Sequence, residues 1–194
     1  GNMYVLIEAS TGNGPRFAVW ALDSGRYSPE EFAGQSIEGD GLPGWDVIRQ
    51  SQVAWYFRTS EELEAEHGGK IPGLMFFHIP LREFHFMWEN RQNHSVEGEK
   101  NEPVSSGPFN SGLFAAMLER GDVRGVFVGH DHVNDFSGDY FGIRLGYSAN
   151  TGYGTYGLDG AERDRMRGAR VFVLDEDDPW TFDTFMVFAR DYGI

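Results

Sequence analysis

Apolar residues along this chain gather in short runs, separated by turns rich in glycine, proline and charge. Residues 4–7, Tyr-Val-Leu-Ile, form the first run. The turn sequence Gly12-Asn13-Gly14-Pro15 follows, and residues 17–22 form a second run, so the two are predicted to pair as a hairpin. Residues 28–44 read as a loop. From 43 to 66 the pattern turns mostly helical, with Ile48, Val53, Tyr56 or Phe57, and Leu63 on one stripe, and His67-Gly68-Gly69 supplying the stop.

Residues 74–77, Leu-Met-Phe-Phe, do not alternate. A run of this kind fits a strand buried on both faces, as in a sheet covered by helices. Residues 91–106 are polar and read as a long loop. Residues 110–120 read as a helix that turns Leu113, Met117 and Phe114 inward, with Asn110 or Ser111 as cap and Gly121 as stop. Residues 123–128 form another buried strand, so residues 74–128 make a βαβ unit. Residues 140–147, 169–174 and 181–188 then alternate like strands, with loops at 146–157 and 159–167. No internal repeat and no domain boundary stands out, and residues 1–194 are expected to form a single domain of the α/β class.

Composition narrows the function. The chain has 194 residues, is 40% hydrophobic and 15% aromatic, and carries a formal net charge of −14. It is too apolar for disorder. So acidic a surface repels nucleic-acid backbones, and it would repel an anionic substrate too unless a bound cation reversed the sign locally. There are no cysteines, which excludes disulfides and thiolate metal sites. No apolar run is long enough to span a membrane, and no basic leader precedes residue 4. The compartment is left open.

The histidines carry the chemistry. Ligand-binding residues of α/β sheets collect just beyond the C-terminal ends of strands. His78 directly follows one buried run, and Gly129-His130-Asp131-His132 directly follows another. Two strand ends therefore deliver imidazole to one rim. Residues i and i+2 of an extended segment point the same way, so His130 and His132 are expected to face one site. Imidazole suits Zn, Fe, Ni and Cu, and Mn where carboxylates share the site. Taken singly, neither element identifies a site: Gly-His-x-His also occurs as plain surface histidine, and His78 alone reads as a hydrogen-bonded buried histidine. His67, His85 and His94 read as surface or helix-end residues. Asn93-His94-Ser95 fits a glycosylation sequon, which has meaning only in a secreted chain.

Phe76-Phe77-His78-Ile79-Pro80-Leu81 and Val126-Phe127-Val128-Gly129-His130-Asp131-His132 resemble metal motifs of the calcineurin-like metallophosphoesterases, in the branch related to purple acid phosphatases. The segments 20–25, 110–114 and 152–157 are similar to that branch as well. The resemblance implies an α/β sandwich with a mixed sheet and flanking helices, of which this chain is the C-terminal half. It implies a dinuclear site of Mn, Fe or Zn, with His78 and His130 on one ion and His132 on the other, hydrolysing phosphate mono- or diesters. Arg82, Tyr153 and Tyr156, together with Tyr147, are candidates to line the substrate pocket. Asp131 and Asp135 are candidates to orient the imidazoles, and Asp23 is a further strand-end carboxylate.

The chain departs from the family pattern in one respect. The Asp-x-His, Gly-Asp and Gly-Asn-His motifs of the N-terminal half are missing; Gly39-Asp40, Gly121-Asp122 and Gly12-Asn13 lack the strand context. Three histidines cannot fill two metal shells of about four to six donors each. The expectation is a C-terminal fragment of a longer, periplasmic or secreted enzyme, with apolar sheet surface that favours self-association. The alternatives are a non-catalytic α/β domain binding at most one metal through three histidines, a mononuclear zinc hydrolase or hydratase, and a binding module whose histidines are incidental.

Overall fold

A computed structural model describes residues 1–193. Its centre is a six-stranded mixed sheet. The strands are β1 (Met3–Glu8), β2 (Pro15–Ala21), β5 (Gly73–Phe76), β6 (Val123–Val128), β7 (Ser137–Tyr140) and β8 (Ile143–Tyr147), in the order β1-β2-β5-β6-β8-β7. Strands β2, β5, β6 and β8 run parallel, and antiparallel β1 and β7 close the two edges. A small hairpin, β3 (Glu31–Phe32) with β4 (Gln35–Ser36), interrupts the predicted 28–44 loop. A longer hairpin, β9 (Gly168–Leu174) with β10 (Phe182–Phe188), is followed by a short 3-10 turn at Ala189–Tyr192.

Alternation along the central strands sorts side chains onto two faces. Met75 and Phe77 of the β5 segment, with Val126 and Val128 of β6, join one buried core with Trp20, Tyr56, Leu63, Phe84, Leu113 and Met117. That core is roofed by α1 (Gln50–His67), α2 (Arg82–Glu89) and α3 (Leu113–Arg120). Phe76 and Phe127 point the other way, and the β9–β10 hairpin covers them. The Phe172 ring lies 5.4 Å from Phe76 and 4.5 Å from Phe127, and Phe182 lies 6.0 Å from Phe127. A helix layer on one face and a hairpin on the other explain why these strands lack an apolar–polar alternation.

Three elements differ from the sequence-based expectation. The first helix begins at Gln50 rather than 43, because Arg49 is extended and the residues before it lie outside the helix, with Trp45 bridged to Tyr27 and Ile48 buried in the core. Residues 140–147, which alternate like one strand, turn back at Phe141-Gly142, both at positive φ, and so belong to two strands. Helix α2 falls in a stretch with no predicted element. It is eight residues long and buries only Phe84 and Met87, too short a stripe to show a helical period.

Candidate metal-binding site

Parallel neighbours β5 and β6 bring residues 78 and 129–132 to one edge of the sheet. The pairing Phe76↔Phe127 sets the register, and hydrogen bonds from Phe77 N to Phe127 O (3.3 Å) and Gly129 N to His78 O (3.2 Å) carry it past the strand ends. The Ser24 hydroxyl, just beyond β2, accepts hydrogen bonds from His78 N and Ile79 N at 3.2 and 3.0 Å. It thereby fixes the peptide that presents the His78 ring.

Past β6 the chain does not stay extended. Asp131 N bonds to Gly129 O at 2.9 Å, and His130 between them has φ +73°. That is a three-residue turn in its strained, positive-φ form. Such backbone strain costs about 1–3 kcal/mol and collects at functional sites. The turn corrects the expectation that His130 and His132 share an orientation as residues i and i+2 of a strand. His130 is aimed at His78, and His132 is aimed elsewhere.

His130 Nδ1 lies 3.2 Å from His78 Nε2. Trp45 and His130 pack with their rings nearly perpendicular, 4.3 Å between centroids, and His130 Nε2 is buried without a hydrogen-bond partner. His78 is open to solvent on one side. The protein around the rim still excludes enough water to lower its pKa, with a further push from His132 against a pull from Asp131. Burial likewise lowers the His130 pKa, opposed by Asp131 and assisted by His78 and His132. Both shifts favour the neutral ring, the form that donates a lone pair. Beside them lies a cavity of about 490 Å³, lined by Phe76, Phe127, the three histidines and Asn150 among others.

His132 has its own surroundings. Tyr156 stacks on it at 4.2 Å and 18°, and Thr155 Oγ1 stands 2.9 Å from its Nδ1. The Tyr156 hydroxyl donates to Glu102 at 2.8 Å, and Glu102 also accepts from Val133 N.

Nitrogens that share one ion at about 2.0–2.1 Å stand about 3.4 Å apart at a tetrahedral angle. His78 Nε2 and His130 Nδ1 have close to that spacing, and the unpartnered Nε2 is the other nitrogen of the His130 ring. The fit stops there. Among the described residues no three His, Cys, Asp or Glu side chains group to hold an ion. The donors present begin one shell and do not supply two.

The other expected residues are dispersed. Asp131 is buried and accepts from Ser105 N and the Tyr147 hydroxyl, and Asp135 accepts from Glu99 N. All three bonds go to partners other than imidazole, so neither carboxylate orients a ring as expected. Tyr147 is fully buried and faces Asp131 rather than the cavity. Arg82 donates to Pro108 O in a separate small cleft. Tyr153 is exposed, with Arg167 over its ring. Asp23 is exposed and bonds Gly25 N. His85 is exposed on α2, and His94 packs against Tyr140. Ser24, Trp45, Glu102 and Thr155 were not singled out from the sequence. Ser24 and Thr155 do lie inside segments 20–25 and 152–157, which carry the family resemblance, whereas Trp45 and Glu102 have no sequence signal.

No family model matches the chain. Over 164 residues it is 40% identical to an Arabidopsis thaliana protein named probable inactive purple acid phosphatase 29, covering 81% of this chain and 38% of that protein. It is 37% identical over 183 residues to probable inactive purple acid phosphatase 14 of the same plant, covering 88% and 43%. A Saccharomyces cerevisiae phosphatase, DCR2, is 30% identical over 143 residues, covering 69% and 22%. A crystal structure of a dimetal phosphatase from Danio rerio overlaps 76% of this chain and 48% of its own, at 13% identity and a TM-score of 0.47. The chain spans about two fifths of the length of the plant relatives it matches. Through those relatives, the chain is kin to the purple acid phosphatases and so to the calcineurin-like metallophosphoesterases.

Proposed function

We propose that this chain is the C-terminal portion, in one domain, of a metal-dependent phosphoesterase. His78, His130 and His132 would supply part of a dinuclear centre of Mn, Fe or Zn, and the remaining donors would lie outside the chain. The observation that carries this reading is the 3.2 Å approach of His78 Nε2 and His130 Nδ1 at the ends of neighbouring parallel strands. The kinship with purple acid phosphatases supports the reaction class. Ions held there would clamp a phosphate ester and activate a water for in-line attack. The residues of this chain contribute orientation: Ser24 fixes the His78 peptide, the turn at His130 aims its ring, and Phe76 and Phe127 give the cavity an apolar floor. Of the groups expected to meet substrate, Tyr156 stands beside His132 and is retained.

With only two donors brought together, this chain alone is read as inactive and as holding at most one ion. The test compares it with a longer version carrying the sequence encoded upstream, each beside its His130→Ala variant. Metal per chain is measured after reconstitution with Mn, Fe or Zn, and hydrolysis of p-nitrophenyl phosphate and its diester is followed. Two ions and hydrolysis in the longer protein, lost in the variant, are expected. Metal content unchanged by His130→Ala in both lengths would overturn the reading.

A further inference from the structure

His132 is the one candidate donor whose ring nitrogen meets a side chain outside the histidine pair. Its partner sits in a loop that several independent contacts hold in place. The Asn150 side chain comes first. Its Oδ1 accepts from Gly152 N at 3.0 Å, which forces the amide nitrogen to the other side, and Nδ2 donates to Thr155 Oγ1 at 2.5 Å. The Thr155 hydroxyl has one proton to give, and two acceptors stand within reach of it, Tyr156 O at 3.3 Å and His132 Nδ1 at 2.9 Å. Asn150 occupies one lone pair of Oγ1, so a proton directed to Tyr156 O leaves the other lone pair facing His132 Nδ1.

The loop backbone is pinned as well. Arg167, whose side chain is 2% exposed, donates to Thr155 O at 2.8 Å and is itself held by Asp164. Arg163 donates to the same carbonyl at 3.3 Å. Gly157 allows this closure, because a Cβ there would lie 1.9 Å from Arg163 O and 3.0 Å from Arg167 Nη2. Tyr156 then lies flat on the imidazole, and its hydroxyl is tied to Glu102.

We propose that Thr155, oriented by Asn150 and anchored by Arg167, is a positioning residue that fixes the tautomer of His132. Nδ1 carries the proton and donates to Thr155 Oγ1, and Nε2 is left as the lone pair that faces an ion. The hydrogen bond a histidine makes at one nitrogen decides which nitrogen can bind metal. The proposal rests on the reading of His132 as a metal donor. It also explains why no carboxylate reaches this ring: a hydroxyl whose own proton goes to Tyr156 O does the same work without adding charge.

The test reads the tautomer in the metal-free chain, so it is independent of metal content and of hydrolysis. The chain is labelled with ¹⁵N in histidine, and long-range ¹H–¹⁵N correlations are recorded in alkaline buffer, where imidazoles are neutral. The His132 signals are identified by their loss in His132→Gln. The expected pattern is protonated Nδ1 in the wild type and in Thr155→Ser, and a switch to protonated Nε2 in Thr155→Val. Zinc titration of the longer protein carrying the upstream sequence, in the same three versions, is expected to show binding weaker by about 10–100-fold in Thr155→Val and near normal in Thr155→Ser. Wild-type His132 protonated on Nε2 overturns the proposal by itself, whether or not any variant folds. So does an unchanged tautomer in a folded Thr155→Val. Protonated Nδ1 in the wild type, with zinc binding by the longer protein unchanged in His132→Gln, would instead overturn the metal-donor reading and leave the tautomer assignment standing.

Discussion

His78 Nε2 and His130 Nδ1 face each other at 3.2 Å across the ends of two parallel strands. The separation depends on Gly129. A Cβ at that position would come within 3.2 Å of His78 Nδ1, closer than ordinary contact, and so would press on the ring that must keep its distance from His130. The geometry of the pair is thus set by a missing side chain on one strand as much as by the imidazoles.

Gly129→Ala is therefore expected to damage the pair while sparing the fold. Gly129 does not occupy positive φ, so the backbone accepts alanine. Zinc affinity of the chain should fall by about 10–100-fold, as when other groups that orient metal ligands are disturbed. Stability by urea unfolding should change by less than about 1 kcal/mol. Unaltered zinc affinity would show that the His78 ring is not held by this contact.

Phe127 joins the two layers. Its ring is 1% exposed and touches Phe172 and Phe182 of the terminal hairpin and Phe76 of the next strand. Phe127→Ala should cost about 3–5 kcal/mol in urea unfolding and loosen the hairpin. Phe185→Ala, on the exposed side of β10, should cost less than about 1 kcal/mol. Equal costs at the two positions would mean the hairpin is not docked through Phe127.

The contrast between what the sequence disclosed and what it hid follows from range. Strands β5 and β6, buried on both faces, announce themselves as unbroken apolar runs, and their C-terminal ends place His78 and His130 on one rim without any coordinates. The aim of the rings was not legible. It depends on the turn at His130, a backbone conformation that no local pattern encodes and that reverses the expected parallel between His130 and His132. Thr155 was hidden for a different reason. Its contact with His132 crosses 23 positions and depends on Arg167 and Gly157, so its neighbours in sequence do not reveal it. Trp45 lay in a stretch read as helix, and only the non-helical run before Gln50 brings it to His130.

Beneath the sheet, Tyr56 and Ser60 of α1 both donate to the buried carboxylate of Asp122 at 2.5 Å, and Arg120 donates to Ser60 Oγ at 2.7 Å. Tyr56→Phe removes one donor and leaves a buried acceptor short. It should cost about 1–3 kcal/mol, since a buried polar group without its partner loses its solvation uncompensated. Urea unfolding of Tyr56→Phe beside Phe57→Leu checks this. A neutral Tyr56→Phe would show that Ser60 alone satisfies Asp122.

Acid stability offers a last test, away from the histidines. Two hydrogen bonds from Arg165, at 2.7 and 2.8 Å, hold the Glu99 carboxyl down at about 2 against an ordinary 4.5. A depressed carboxyl stabilises the folded state above its unfolded pKa, and that contribution is lost as pH falls from about 4.5 toward 2. Burial of nearby Asp135 acts in the opposite sense. Its raised pKa means that folding is favoured while it is protonated, and the advantage fades as pH rises past 3.8. Because Glu99 is largely exposed, its pair is worth less than about 1 kcal/mol at neutral pH. Glu99→Gln should therefore barely change stability at pH 7 yet flatten its decline between pH 4.5 and 2, where the wild type must protonate this carboxyl. The comparison is made by urea unfolding at several pH values across that window. Wild-type and variant curves that fall in parallel would show that Arg165 does not hold Glu99 in solution, and the loop that Arg165 tethers to residue 99 would then be free of that anchor.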